Sequence, residues 1–188
     1  FPGRTNEYLP AVAIEHITKE FNPTNITIRE AALKVIDAKM KTSDDVRIKY
    51  ASKQARIANA WKKWIGESQG LERSKAIEKK KELEAVFQEK NKNNAAYGNL
   101  LQEFETLYTD IEEVAIARDY WSEIVYRNVE LLNASVRLYR FESKVQKTPE
   151  AFETERTKIL NGFKGFYKNY NATLDQEVFK KLVTIYKE

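Results

Sequence analysis

His16 is the only histidine in this 188-residue chain, and there is no cysteine. A Ser–His–Asp triad built within the chain would depend on His16, and no G-x-S-x-G turn accompanies it. A carboxylate-bridged di-iron site needs two E-x-x-H units, which one histidine cannot supply. Thiolate zinc sites and disulfides are excluded, and no glycine-rich phosphate loop is present. We therefore expect no catalytic residue, no metal ligand and no cofactor site here, and interpret His16 as a helix-surface or boundary residue.

Two pairs of adjacent carboxylates could in principle perform acid–base chemistry. Asp44 and Asp45 stand where a helix is expected to begin, and acidic residues there complement the helix dipole. Glu112 and Glu113 lie in a charged stretch of a longer predicted helix. Both pairs are therefore predicted to be solvated surface groups.

The net charge is small and dispersed. Lysine and arginine total 32 against 28 acidic residues, a formal charge of +4. A nucleic-acid-binding protein usually concentrates its positive charge on one face or segment. Here the basic run at 79–81 is followed at once by Glu82 and Glu84, which is typical of a solvated helix face. We expect no nucleic-acid partner, and no membrane span, because no apolar run approaches about 20 residues.

Residues 47–66, RIKYASKQARIANAWKKWIG, are predicted to form a central helix. No proline interrupts this stretch, and Gly66 stands where a C-terminal cap is expected. The apolar side chains cover an arc of roughly 200°, wider than one neighbour can bury. The members of this arc are Ile48, Tyr50, Ala51, Ala55, Ile57, Ala58, Trp61, Trp64 and Ile65. The basic residues Lys49, Lys53, Arg56 and Lys63 occupy the remainder. Asn59 projects at the edge of the arc, beside Ile48, Ser52 and Ala55.

The rest of the chain predicts an all-α, multi-helix domain, because no segment alternates with period two for long enough to form a sheet. A first helix is expected over residues 6–20, ended by Asn22–Pro23, and the capping-box pattern of Thr27 and Glu30 predicts a second. A short loop is expected over 67–70. Thr148–Pro149 and the pair Thr173 and Gln176 predict two further helix starts, with glycines at 162 and 165 interrupting the first of these helices.

From residue 97 onward an alternating three–four spacing of apolar residues continues to residue 139. It predicts one long helix or two nearly collinear ones. With the charged helix that precedes it, this segment should form a long antiparallel hairpin over 71–145. Arg118 and Asn128 fall inside the spacing, where polar residues set register or meet a facing acid. We expect residues 1–188 to be a single helical domain excised from a larger protein.

Three segments of the sequence resemble a known family. They are FPGRTNEYL at the start, I-R-E in the second helix, and YASKQARIANAWKKWIG. Together they are similar to the helical domain of the bacterial dipeptidyl peptidases of the 7 and 11 type. Those enzymes are serine exopeptidases with a chymotrypsin-like double β-barrel and a large helical insertion. The resemblance is strongest over residues 1–66 and implies that the catalytic triad belongs to the barrel, outside this chain.

The resemblance also implies a role for Asn59. In the family, the helical domain caps the cleft, and an asparagine of its central helix helps to bind the α-ammonium group of the peptide substrate. Asn59 is at the matching position. The expected partners are a peptide bound through its free N-terminus and the β-barrel domain of the same chain, with a homodimer possible. The resemblance further implies a periplasmic or cell-surface location, and an Asp/Glu-specific enzyme is one option for the side-chain preference.

Two other classes of function stay open at this point. The chain could be a freestanding helical scaffold or adaptor that binds a protein partner through its long hairpin. A nucleic-acid-binding protein is a third, weaker hypothesis. The peptidase hypothesis differs from both in requiring a much longer polypeptide.

Overall fold

The computed structural model describes residues 8–187, and this part of the chain contains helices and no strand. The helices are α1 (Ala11–His16), α2 (Asn22–Thr42), α3 (Asp44–Arg73), α4 (Ala76–Asn91), α5 (Leu100–Trp121), α6 (Glu130–Lys147), α7 (Phe152–Asn169) and α8 (Ala172–Lys187). Two π-helical segments, Ile17–Phe21 and Ser122–Asn128, and a 3₁₀ turn at Pro149–Ala151 complete the chain. The all-α prediction is confirmed.

The chain divides into two compact units, one formed by residues 1–24 and 63–119 and the other by 25–62 and 120–188. In the first unit, a hydrogen bond and a salt bridge join α1 to α4. The backbone N–H of Ala11 donates to Oε1 of Glu84 at 2.7 Å, and Lys81 pairs with Glu15 at 2.7 Å. Glu84 therefore satisfies one of the free N–H groups at the start of α1.

Residues 92–99 form the turn that joins α4 to α5. Gln88 of α4 donates to the carbonyl of Gly98 at 2.7 Å, which ties the turn to the helix. A Cβ at Gly98 would lie 2.9 Å from the carbonyl oxygen of Asn94, so the turn requires glycine. The α4–α5 pair is consistent with the predicted hairpin. Its proposed extent over 71–145 and the single-domain description of 1–188 stay predictions.

The second unit contains the larger hydrophobic core. It is built from one face each of α2, α3 and α8, together with residues around the second π-helical segment. The most deeply buried members include Ile28, Ala32, Ile36, Tyr50, Ile57, Leu174, Val178 and Leu182. Their three- and four-residue spacings place them on single helical faces, which explains why these segments fold as helices against one another.

Several predicted helix ends are wrong. The helical structure does not end at Asn22–Pro23. The π-helical segment Ile17–Phe21 leads directly into α2, and Pro23 is the second residue of α2. The second helix therefore does not begin at Thr27. Residues 67–70 are helical rather than a loop, and α3 ends at Arg73 rather than Gly66. No glycine in the described residues has the positive φ that a glycine cap needs.

The later helices show similar differences. Gly162 and Gly165 lie inside α7 and do not interrupt it. The helix α8 begins at Ala172, and its cap is Asn171, whose Oδ1 accepts from the N–H of Leu174 at 3.0 Å. One long helix and two helices were both open for the three–four pattern, and two are present, separated where Val129 adopts an extended backbone with φ −96° and ψ 111°. Pro2–Gly3, a pair that also predicts a turn at the start of the sequence, lies outside the described residues.

Candidate functional site

Asn59 lies on the exposed side of α3, in the unit formed by residues 25–62 and 120–188. Its side chain makes no hydrogen bond to any of residues 8–187. Ser52 and Ala55 share its face of the helix and are also exposed. The amide of Asn59 is therefore free to bind a ligand that approaches from this side.

The opposite side of α3 is anchored in the core through Tyr50, which is 1% exposed. Its hydroxyl donates to Oε2 of Glu130 at 3.1 Å and accepts from the backbone N–H of Asn171 at 3.3 Å. Burial, with the negative charge of Glu130, raises the pKa of the Tyr50 phenol well above its ordinary value. Tyr50 thus stays a neutral donor that ties α3 to the starts of α6 and α8.

Lys53 is buried beside Tyr50, although the sequence pattern placed it among the solvated basic residues. It is 7% exposed, and its Nζ lies 3.3 Å from Oε1 of Glu130 and 3.9 Å from Oδ1 of Asp175. Burial lowers the pKa of Lys53, while the two carboxylates act in the opposite direction. We call Tyr50, Lys53, Glu130 and Asp175 the anchor cluster.

The predicted apolar arc of α3 is therefore too wide. Ile48 is 73% exposed, and Ala51 and Ala55 are exposed as well. The buried stripe instead passes through Val46, Tyr50, Lys53 and Ile57, at the three- and four-residue spacing of one helix face. That spacing indicates a buried position for Lys53, but a lysine is expected to be solvated, so the sequence-based prediction placed it on the exposed side.

A second buried ion pair lies in the same unit. Nε and Nη2 of Arg29 donate to the two carboxylate oxygens of Glu123 at 2.8 and 2.9 Å. Asn128 donates to the backbone oxygen and to Oε2 of Glu123 at 2.8 and 3.0 Å. Both polar residues of the three–four pattern therefore meet a nearby acid of their own segment, Asn128 meeting Glu123 and Arg118 the adjacent Asp119 at 3.2 Å, and the predicted pairing with an acid on a facing helix is not seen among the described residues. The sequence drew attention to Arg29 only as part of the I-R-E motif and did not single out Glu123.

The other candidate groups have ordinary environments. His16 is half-buried, with its ring 5.5 Å from that of Tyr108. Asp44 and Asp45 are exposed and pair with Arg47 and Lys49 within α3. Over residues 8–187 no cluster of three or more His, Asp or Glu side chains could hold a metal ion. No helix in this range is long and apolar enough to cross a membrane.

Trp61 and Trp64 are not an exposed platform. Trp64 is 8% exposed and meets the ring of Phe21 edge-on at 5.9 Å. Trp61 is half-buried and packs against the core of its own unit, formed by residues 25–62 and 120–188. Their prediction as members of the apolar arc of α3 agrees with these positions.

Comparison with known proteins identifies the family. The Peptidase S46 family profile matches residues 1–188. An Asp/Glu-specific dipeptidyl-peptidase of Flavobacterium psychrophilum is 46% identical over 99% of the chain, and one of Capnocytophaga gingivalis is 41% identical over 99%. Dipeptidyl-peptidase 7 of Porphyromonas gingivalis is 31% identical over 98% of the chain. The chain spans 27%, 27% and 25% of these three relatives. With a match over its whole length, this chain belongs to the Peptidase S46 family.

Proposed function

We propose that this chain is the helical cap domain of a serine-type dipeptidyl peptidase that releases dipeptides from the N-terminus of peptides. The observation that carries the proposal is the match of the whole chain to Peptidase S46, together with relatives named dipeptidyl-peptidases. The catalytic residues would lie in a β-barrel domain of the same polypeptide, outside residues 1–188. The cap would close over a cleft between the helical domain and the β-barrel domain and shield the bound peptide from water.

Asn59 is proposed to bind the α-ammonium group of the substrate. The support is its exposed position, its free amide and its place inside the 30-residue helix α3. An amide oxygen accepts a hydrogen bond from an ammonium group without adding a charge that must be desolvated. Holding the N-terminus at a set distance from the nucleophile would select the second peptide bond, because the substrate is positioned before reaction.

We further propose a preference for Asp or Glu next to the cleaved bond. The two relatives so named are 46% and 41% identical to this chain, against 31% for the dipeptidyl-peptidase 7 of Porphyromonas gingivalis. Substrates that differ only in Glu against Gln would test this preference, because they match in shape and differ in charge. Equal kcat/KM for the two would contradict it. A periplasmic or cell-surface location belongs to the same proposal and can be tested by cell fractionation.

The test of Asn59 uses the full-length enzyme with Asn59→Ala. We expect kcat/KM for dipeptidyl substrates to fall roughly 5- to 150-fold, equivalent to about 1–3 kcal/mol, with a raised KM. The reason is that the ammonium group loses an acceptor that the closed cleft would shield from water. Ser52→Ala is the matched control, since Ser52 is exposed on the same face about two turns earlier. It should leave the kinetics unchanged.

An N-acetylated substrate sharpens the test, because it lacks the ammonium group. Wild-type enzyme should prefer the free amine strongly, and Asn59→Ala should lose part of that preference. If Asn59→Ala and Ser52→Ala behave alike on both substrates, Asn59 does not bind the amine. A protein whose open reading frame ends near residue 188 would instead favour the scaffold hypothesis.

A further inference from the structure

A groove of about 280 Å³ lies between α6 and α7, within the unit formed by residues 25–62 and 120–188. Arg137, Arg140 and Lys144 line it from α6, at the three- and four-residue spacing of one helix face. Lys158 and Glu155 line it from α7. We call this feature the α6–α7 groove.

The lining of the groove has a large excess of positive charge. Glu155 is its one acidic residue among four basic ones, and it pairs with Lys144 at 2.9 Å and with Lys158 at 2.8 Å. These lysines, Lys158 first, hold the pKa of Glu155 below its ordinary value, so the carboxylate stays charged. The carboxylate of Glu155 is thus paired with two lysines and does not neutralise Arg137 or Arg140.

Arg137 and Arg140 have no carboxylate partner within residues 8–187. The guanidinium of Arg137 lies 5.0 Å from the ring centroid of Phe163, and its buried Nε has no hydrogen-bond acceptor among the described residues.

The guanidinium of Arg140 lies 5.5 Å from the ring centroid of Tyr126. Stacking on an aromatic ring restricts a guanidinium without using its outer N–H donors, so less freedom is lost when a ligand binds. The apolar side chains of Phe141 and Ile159 also line the groove.

We propose that the α6–α7 groove binds a small oxyanion, a carboxylate or phosphate group, between the guanidinium groups of Arg137 and Arg140. The planar N–H forks of arginine match the paired oxygens of both groups. Lys144 and Lys158 add positive charge at the other end of the groove. This site is separate from Asn59 on α3 and does not depend on the proposed peptidase role.

The experiment is calorimetric titration of the full-length protein with inorganic phosphate and, separately, with N-acetylglutamate. The acetyl group removes the free amine, so the carboxylate ligand cannot use an amine-binding site. The double variant Arg137→Gln with Arg140→Gln should weaken binding of the preferred anion by about tenfold or more. The stronger of the two ligands in wild-type protein identifies the anion class.

Arg156→Gln is the control for loss of one positive charge and matches the single variant Arg140→Gln; its side chain lies on α7 and pairs with Glu153. It should change the affinity by less than about twofold. Arg140→Gln alone, at an exposed side chain, gives a second variant whose fold is not at risk. Failure of both anions to bind, equal affinity in wild type and double variant, or an equal loss in Arg156→Gln would each overturn the proposal.

Discussion

Replacement of Asp175 tests whether the anchor cluster holds the second unit together. Asp175 is 2% exposed at the start of α8. Its Oδ1 accepts from the backbone N–H of Glu130 at 2.7 Å, and its Oδ2 accepts from that of Leu131 at 2.9 Å. Asp175 thus caps the N-terminus of α6 from another helix while facing the ammonium group of Lys53 at 3.9 Å.

The magnitude follows from these contacts. Loss of an N-terminal cap costs typically about 1 kcal/mol and up to about 2 kcal/mol, and the negative charge at the helix start adds up to about 1 kcal/mol. Lys53 also loses one of the two carboxylates that compensate its burial, and breaking a buried pair costs about 3–5 kcal/mol when the partner is left alone. Because Glu130 still faces Lys53, we expect Asp175→Ala to lower the free energy of unfolding by about 3–4 kcal/mol.

Asp175→Asn separates the two contributions. The amide oxygen can still accept one backbone hydrogen bond, and asparagine is a good N-cap residue, but the negative charge is lost. Its cost should be smaller than that of Asp175→Ala, about 1–3 kcal/mol.

The assay is urea unfolding followed by far-UV circular dichroism. Glu177→Ala is the control, because Glu177 lies two residues further along α8 and pairs with Lys39 at 2.9 Å in a solvated setting. Such an exposed pair contributes about 0–1 kcal/mol. If Asp175→Ala is no more destabilising than Glu177→Ala, the cap and the buried charge do not stabilise this unit, and the reasoning is refuted.

Two further predictions concern buried groups of the same unit. Glu123→Ala should lower the free energy of unfolding by about 3–5 kcal/mol, because it leaves Arg29 buried without its carboxylate; a cost equal to that of Asp44→Ala, in an exposed pair, would contradict this. The raised pKa of Tyr50 keeps its proton bound in the folded protein while the unfolded phenol ionises above about pH 10. The free energy of unfolding should therefore fall more between about pH 8 and pH 11 in wild type than in Tyr50→Phe. An equal fall in the two proteins, measured by urea unfolding at both pH values, would refute this.

The fold class follows from the sequence because it depends on period, and the apolar period here is helical throughout. The helix ends do not follow, because single residues were given too much weight. Glycine ends a helix when it adopts positive φ, and no described glycine does so. Gly66 and Gly70 lie on α3 with nothing within 4 Å of an added Cβ, so no close contact requires glycine at either position.

Pro23 shows the corresponding limit for proline. Proline removes one N–H donor and clashes with the preceding turn in a helix interior. Here the π-helical segment Ile17–Phe21 precedes it, and the N–H of Asn22 bonds to the carbonyl of Ile17. A π-helical turn changes the bonding pattern locally, so the chain stays helical across the proline. A rule that reads Asn–Pro as a stop cannot detect that accommodation.

Of the residues at and beneath the candidate site, the sequence indicated one and missed another. Asn59 was identified from the resemblance of its helix to a known family, and its exposure is compatible with the role proposed. Lys53 was missed because a lysine is expected in water, and because Glu130 and Asp175, which compensate its burial, come from α6 and α8. Tertiary contacts of that kind have no local pattern, so only the spacing of Lys53 with Tyr50 and Ile57 could have indicated it.

The two faces of α3 depend on each other. Asn59 follows Tyr50 by nine residues, which at about 100° per residue places the two side chains on opposite sides of the helix, about 180° apart. Tyr50 is bonded to Glu130 and to the backbone of Asn171, so α3 cannot rotate about its axis without breaking both contacts. An exposed asparagine on a freely rotating helix would lose orientational entropy on binding. Because burial of Tyr50 already restricts that rotation, the side of α3 that carries Asn59 faces a set direction before any ligand arrives.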